Sequence, residues 1–177
     1  MAFSFNNFLV IALLLIISSS FTIVKADLVS DVCSKVTSPT ICEQALRSDP
    51  RTKTAANLEA LGFIAIDLAQ STTKSTINLI DSLLKGATDP TLKSRYSSCK
   101  ENYADASDNL AECPGFLKAK DYGSLNARAS AALDDPDSCD DNFSQAPAEP
   151  AGLKQASLKL QSLCAAIDVI SNNLNGL

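Results

Sequence analysis

Apolar residues recur along most of the chain at the spacing of three and four positions that an amphipathic helix requires. The C-terminal segment shows this most clearly, at Leu153, Ala156, Leu160, Leu163, Ile167, Ile170 and Leu174. A second segment repeats it at Leu92, Tyr96, Cys99, Tyr103, Ala106, Leu110 and Cys113. No segment alternates apolar and polar residues as a β-strand would. The pattern therefore predicts an all-α protein.

Proline, glycine and aspartate divide this pattern into segments. Asp49-Pro50 and Asp89-Pro90 each predict a helix start, with aspartate as the N-cap and proline at the first helical position. Gly86 and Pro114-Gly115 predict helix ends. We therefore expect four helices, at residues 49–85, 90–114, 122–133 and 153–174. Residues 134–150 contain Pro136, Pro147, Pro150 and an acidic cluster, which predict a loop.

Residues 27–48 precede these helices and predict a helical hairpin with a turn at residues 37–40. Long amphipathic helices joined by short connections are typical of an antiparallel bundle. The predicted fold is thus an antiparallel up-and-down four-helix bundle at residues 49–177, preceded by the N-terminal hairpin at residues 27–48. The polar face of the last helix is expected to carry Lys154, Lys159, Asp168 and Asn172.

The N-terminus has the pattern of a secretion signal. An apolar run at residues 8–17 is followed by small residues and by Val24-Lys25-Ala26, which fits a cleavage site. We expect residues 1–26 to be a signal peptide and the mature chain to be extracellular. The alternative is an uncleaved membrane anchor, for which a run of this length is short, since a spanning helix needs roughly 20 residues.

Charge and composition narrow the function classes. The chain has 15 basic and 20 acidic residues and no histidine. An acidic chain offers no basic patch for nucleic acid. Without histidine, Ser-His and Cys-His nucleophile systems are excluded and zinc sites are disfavoured. The acidic cluster also lacks the spacing and glycine of an EF-hand. We therefore expect no catalytic site, no metal and no cofactor. Separately, Asn142-Phe143-Ser144 matches the acceptor motif for N-linked glycosylation, so we expect a glycan at Asn142.

Six cysteines permit fifteen pairings, so the sequence alone leaves the connectivity open. Cys33 and Cys42 flank the predicted hairpin turn, and a bond between them would lock it. Cys99 and Cys139 fall near one end of neighbouring antiparallel helices, where a bond would staple them. The other two, Cys113 and Cys164, are level along the bundle but on diagonal helices. They are expected either to form a third disulfide or to remain as buried thiols.

Several sequence blocks together resemble the plant invertase/pectin methylesterase inhibitor family. They are Cys33-Ser-Lys-Val-Thr-Ser-Pro-Thr-Ile-Cys42, Leu58-Glu-Ala-Leu-Gly62, Ile66-Asp-Leu-Ala-Gln70, Ala87-Thr-Asp-Pro90, Cys99-Lys-Glu-Asn-Tyr-Ala-Asp-Ala106, Asp121-Tyr-Gly-Ser-Leu-Asn126, Ala129-Ser-Ala-Ala132 and Cys139-Asp-Asp-Asn-Phe143. The resemblance covers the whole mature region. It implies a helical hairpin before a four-helix bundle, with bonds Cys33–Cys42 and Cys99–Cys139.

The resemblance also implies a secreted cell-wall inhibitor, and two target enzymes must be distinguished. Invertase inhibitors typically carry a Pro-Lys-Phe motif where this chain reads Lys120-Asp121-Tyr122. The sequence at residues 88–90, 101–105 and 124–126 is similar to that of fruit-type pectin methylesterase inhibitors. The resemblance therefore implies a pectin methylesterase as partner, bound one-to-one over its pectin-binding cleft. An inhibitor of acid invertase and a secreted structural or allergen-type bundle are the alternatives.

A polar stripe on the helix that contains Cys99 is the candidate contact surface. Its residues are spaced by three and four positions, at Ser98, Glu101, Asn102, Asp105, Asn109 and Glu112. An ordinary solvated face would look the same. The resemblance favours Glu101 and Asp105, with Asn102, Asn109 and Ser138 as further candidates for partner binding.

Overall fold

The computed structural model describes residues 27–176, which fold into six α-helices and one short 3-10 helix, without a strand. The helices are α1 (Leu28–Cys33), α2 (Pro39–Arg47), α3 (Leu58–Gly86), α4 (Pro90–Ala119), α5 (Tyr122–Asp141) and α6 (Ala151–Asn175). The 3-10 helix is Pro50–Thr54. The predicted signal peptide at residues 1–26 lies outside the described residues. Within residues 27–176, no helix combines the length and apolar character needed to cross a membrane.

Helices α3 to α6 form an antiparallel four-helix bundle. Each of them packs extensively against two neighbours, in the cyclic order α3, α4, α5, α6, so that α4 and α6 are diagonal. The hairpin of α1 and α2 packs mainly against α6. The predicted fold class is therefore confirmed, including the hairpin that precedes the bundle.

The core is built from the apolar stripes that the sequence shows. In α4 every stripe residue from Tyr96 to Cys113 is buried, and in α6 Leu153, Leu160, Leu163, Ile167 and Ile170 are fully buried. Gly62 of α3 lies where a Cβ atom would approach Leu117 Cδ2 to 3.0 Å and Ile170 Cγ2 to 3.3 Å. The absence of a side chain at Gly62 therefore lets α3 approach both of its neighbours closely.

The first bundle helix starts later than predicted. Asp49 does act as an N-cap, since its carboxylate accepts from the Arg51 backbone N–H at 2.8 Å. It caps only the 3-10 helix, because the backbone leaves the helical region at Ala55, where ψ is 120°. Asn57 then starts α3, with its side-chain oxygen accepting from the Ala60 N–H at 2.8 Å.

The prediction that Pro114-Gly115 ends a helix is wrong. Helix α4 continues through Pro114 to Ala119 and ends at Lys120, which adopts the left-handed conformation with φ 58°. A proline inside a helix leaves the carbonyl four residues earlier without its N–H donor. Here that carbonyl belongs to Leu110, and the side-chain amide of Gln70 in α3 donates to it at 2.9 Å.

The predicted loop at residues 134–150 is also wrong in its first half. Helix α5 contains Pro136 and extends to Asp141, so that Cys139 is inside the helix. Pro136 is buried in the core, and its carbonyl oxygen accepts from Ser157 Oγ of α6 at 3.3 Å. Burial of this turn against α6 outweighs the helix-breaking tendency of proline, and the actual loop is residues 142–150.

Two disulfides clamp the fold. Cys33 is bonded to Cys42 across the hairpin, with 5.6 Å between Cα atoms, and Cys99 is bonded to Cys139 between α4 and α5, with 4.6 Å. Cys113 and Cys164 are free and buried, on the diagonal helices α4 and α6. Burial raises the pKa of both thiols, so both stay in the unreactive, protonated form.

A candidate protein-binding surface between helices α4 and α5

The five residues expected to bind a partner lie on or beside the flank of α4 that faces α5. We call Glu101, Asn102, Asp105, Asn109 and Ser138 the α4–α5 surface. Glu101, Asp105 and Ser138 are exposed, whereas Asn102 and Asn109 are half-buried. The disulfide between Cys99 and Cys139 crosses the same pair of helices one residue from Ser138. The structure thus brings these residues to one stapled side of the bundle.

Arg128 of α5 organises one end of this flank. Its Nη1 donates to Asn109 Oδ1 at 3.2 Å, and its Nε lies 2.9 Å from Glu112 Oε2. Asn109 and Glu112 are therefore held inside the bundle's own polar network. Glu101, in contrast, has no side-chain hydrogen bond or ion pair with any described residue, which leaves its carboxylate available to a partner.

The centre of the flank is acidic. Asp135 of α5 faces α4 with its Oδ2 buried and without a hydrogen-bond partner among residues 27–176. Burial, together with the negative charge of Asp105, raises the pKa of Asp135 to about 6, and a hydrogen bond with Asn109 opposes the shift. The Asn102 Oδ1 atom is likewise buried and unpartnered within the described residues.

Arg95 fixes the loop that follows α5, at the end of the bundle where the Cys99–Cys139 bond lies. Its guanidinium donates to the carbonyl oxygens of Gln145, Ala146 and Pro147 at 2.8, 3.1 and 2.7 Å. The same group lies over the Phe143 ring, 5.4 Å from the centroid. Five donors on a planar group allow this multiple recognition. Sequence reasoning missed Arg95, since no local pattern links an arginine to a loop some 50 residues away.

Asn142, the expected glycosylation site, caps the C-terminus of α5. Its Nδ2 donates to the carbonyl oxygens of Ser138 at 3.0 Å and Cys139 at 3.3 Å. An N-linked glycan would leave one N–H on that nitrogen, which is enough to keep one of the two bonds.

Asp168, which was expected on the polar face of α6, is half-buried against a neighbouring helix. Its carboxylate lies between α5 and α6, accepting from Ser130 Oγ at 3.1 Å and from Asn126 Nδ2 at 3.4 Å. Burial raises the pKa of Asp168 to about 7. The three-four spacing does not show this, because residues on the edge of an apolar stripe face either solvent or the neighbouring helix.

The acidic residues expected in one loop are spread around the end of α5. Asp135 faces α4, whereas Asp140 pairs with Lys154 of α6 at 2.7 Å. Within residues 27–176 no group of three or more Asp, Glu, His or Cys side chains is placed to hold a metal ion. The α4–α5 surface is a rigid polar ridge, a geometry suited to recognition.

Comparisons with known proteins agree with this geometry. Residues 27–174 match the family described as plant invertase/pectin methylesterase inhibitor. The chain is 47% identical to a pectinesterase inhibitor from Actinidia deliciosa, over 99% of both chains. It is 31% identical to pectinesterase inhibitor 2 from Arabidopsis thaliana, over 80% of both chains. A crystal structure of a mutant pectin methylesterase inhibitor from Arabidopsis superimposes with a TM-score of 0.75 at 31% identity, covering 83% of this chain and 97% of the other.

Proposed function

Because the chain belongs to the plant invertase/pectin methylesterase inhibitor family, we propose that it inhibits a pectin methylesterase. It binds the enzyme one-to-one over the pectin-binding cleft and so blocks substrate entry. The observation that carries this proposal is the 47% identity to a pectinesterase inhibitor over 99% of the chain. A match of that extent spans the whole bundle, the α4–α5 surface and the connecting turns.

The proposal includes the route by which the inhibitor meets its target. Residues 1–26 are removed as a signal peptide, and the inhibitor domain of residues 27–177 is released to the cell wall. Support comes from the start of the family match at residue 27 and from the two disulfides, since such bonds persist in oxidising compartments. Asn142 carries a glycan there, and a mass decrease after endoglycosidase treatment of the secreted protein tests this.

The α4–α5 surface supplies part of the contact. Glu101 and Asp105 are exposed carboxylates on a helix that a disulfide holds rigid, so binding requires little ordering of the inhibitor. A standard interface buries about 1,600 Å² in total, which is more than these residues can cover. They therefore act with neighbouring groups, including the side chains of Ser138, Asn102 and Asn109.

The turn between α4 and α5 favours pectin methylesterase over invertase as the target. Where invertase inhibitors typically present Pro-Lys-Phe, this chain has Lys120-Asp121-Tyr122. Lys120 is the left-handed C-cap of α4, and Asp121 caps α5 by accepting from the Ser124 N–H at 3.1 Å. Two of the three residues thus serve the turn itself and present no motif to an enzyme.

Mixing the purified chain with a pectin methylesterase and, separately, with an acid invertase tests the proposal. Residual activity and gel-filtration mobility are measured for each mixture. We expect loss of esterase activity and a complex with the mass of one inhibitor plus one enzyme, with no effect on invertase. Inhibition of invertase alone would support the alternative target. No effect on either enzyme would support a structural role.

A further inference from the structure

Two carboxyl groups meet where the loop after α5 returns to the bundle. Asp140 is in the last turn of α5, and Glu149 lies two residues before α6 begins. The Asp140 Oδ1 and Glu149 Oε1 atoms are both buried, and neither has a hydrogen-bond donor among residues 27–176. The two side chains are within hydrogen-bonding reach of each other. Two buried acceptors facing each other without a donor would be costly if both groups were ionised.

The groups around the pair supply one positive charge. Lys154 Nζ of α6 lies 2.7 Å from Asp140 Oδ2, and Gln161 Nε2 donates to the same oxygen at 3.2 Å. The other titratable groups near the pair are Asp137 on α5, which adds negative charge near Lys154, and Tyr103 on α4, whose pKa is raised mainly by burial. Both polar contacts reach Oδ2, so Oδ1 of Asp140 is left without a donor among residues 27–176.

We propose that one proton is shared between Asp140 Oδ1 and Glu149 Oε1, and that this bond is an acid-dependent latch between α5 and the start of α6. The shared proton gives both unpartnered oxygens a hydrogen bond and leaves the pair with a single negative charge, which Lys154 balances. When the proton is lost, two carboxylates face each other across the latch with only one cation beside them. The pair then separates, and residues 149–154 loosen.

The titration expected for this pair agrees with the geometry. Burial, followed by the charge of Asp140 and the bond to it, raises the pKa of Glu149 to about 7, against a smaller opposing effect of Lys154. The latch is therefore closed in acid and opens as the pH rises through about 7. Its effect is local, since Arg95 independently holds the preceding carbonyls of residues 145–147.

Carbon-detected NMR titration of the secreted chain tests the latch directly. We expect the carboxyl carbon of Glu149 to titrate near pH 7 in the parent. In a Glu149→Gln variant the amide can donate to Asp140 at every pH, so no titration step should remain at this position. The control is Asp141→Asn, which removes an exposed carboxylate one residue away and should leave the Glu149 step unchanged.

Hydrogen exchange gives the mechanical readout. The Leu153 and Lys154 amides donate to the Pro150 carbonyl at 2.9 and 3.1 Å and form the first turn of α6. Their protection, corrected for the intrinsic rate, should fall about tenfold or more between about pH 5 and 8 in the parent, since each pKa unit is a tenfold change. In Glu149→Gln it should stay constant. An ordinary carboxyl titration of Glu149 in the parent, or the same pH dependence in the variant, would overturn the proposal.

Discussion

Gln70 of α3 donates its side-chain amide to the backbone carbonyl of Leu110 in α4, at 2.9 Å. That carbonyl is the one that Pro114 leaves without a helical donor. Because the Leu110 residue is fully buried, an unpaired carbonyl at this position would lack a substitute from water. The bond explains how α4 continues past a proline, and it ties α3 to α4 at that level.

Replacing Gln70 with alanine should therefore destabilise the bundle by about 1–3 kcal/mol, the usual cost of leaving a buried acceptor unsatisfied. In a Pro114→Ala background the backbone gains an N–H at that position, which can donate to Leu110. In that background, replacing Gln70 with alanine should reduce the stability by less than about 0.5 kcal/mol. Urea denaturation of the four proteins in this double-mutant cycle measures the coupling. Equal costs in both backgrounds would show that Gln70 and Pro114 act independently.

Two prolines inside helices, Pro114 and Pro136, show where sequence reasoning succeeded and where it did not. The stripes of α4 and α6 were predicted correctly because burial follows the three-four spacing directly. The helix ends at the two prolines were predicted wrongly, because each turn is stabilised by contacts remote in sequence. Gln70 donates to the carbonyl that Pro114 leaves without a donor, whereas Pro136 is buried against α6, where Ser157 donates to the carbonyl of Pro136 itself. Local signals indicate the cost of a proline but not the distant packing and hydrogen bonds that offset it.

For the candidate surface, too, the sequence predicted some features and not others. Spacing placed Glu101, Asn102, Asp105 and Asn109 on one flank of α4, and the structure has them there. The sequence could not show that Arg128 engages Asn109, or that Asp168 turns inward to Ser130, since both contacts join different helices. Side-chain partners across a helix interface depend on rotation and register, which a periodic pattern leaves open.

Asp168 should make stability depend on pH. Its pKa is raised from 3.8 to about 7 in the folded protein by burial, with a further contribution from Asp134 and an opposing bond from Ser130. The folded state therefore binds the proton more tightly than the unfolded chain, and stability falls as the pH rises from about 4 to 7. Asp168→Asn should remove this part of the pH dependence of stability. We expect the variant to gain about 1–3 kcal/mol at pH 8, less than the full shift implies because the carboxyl is only partly buried.

Urea denaturation of parent and Asp168→Asn at about pH 4 and pH 8 measures the difference. Asp108→Asn, which neutralises an exposed aspartate on α4, serves as the control and should change stability by less than about 0.5 kcal/mol at both pH values. A variant that is destabilised equally at both pH values would show that Asp168 is needed as an ionised acceptor instead.

The two disulfides should differ in their contribution to stability. The Cys99–Cys139 bond closes a loop with a sequence separation of 40, and the Cys33–Cys42 bond one of 9. On the chain-entropy account, removing them by paired Cys→Ala changes should cost about 4 and about 2.5 kcal/mol respectively. Urea denaturation of both variants under matched conditions measures the two losses of stability and shows which is larger. A larger loss from the hairpin bond would mean that packing of the hairpin against α6, and not chain entropy, dominates.

Glu101→Ala with Asp105→Ala should slow association with pectin methylesterase. Exposed charges at an interface act mainly on the association rate, and their effect decreases as salt increases. We expect about a tenfold slower association at low ionic strength and a smaller difference at high salt, measured by surface plasmon resonance. Asp31→Ala removes an exposed carboxylate on α1 and is the matched control. Equal association rates for the double variant and the parent would place the contact on another face.

Stoichiometric titration of a pectin methylesterase tests directly whether this chain is a one-to-one inhibitor of the enzyme. With the enzyme well above the dissociation constant, increasing amounts of the purified chain are added and the residual esterase activity is measured. We expect a linear fall in activity that reaches its minimum at one inhibitor per enzyme. Activity that stays unchanged at a molar excess of the chain, with each disulfide intact, would contradict it.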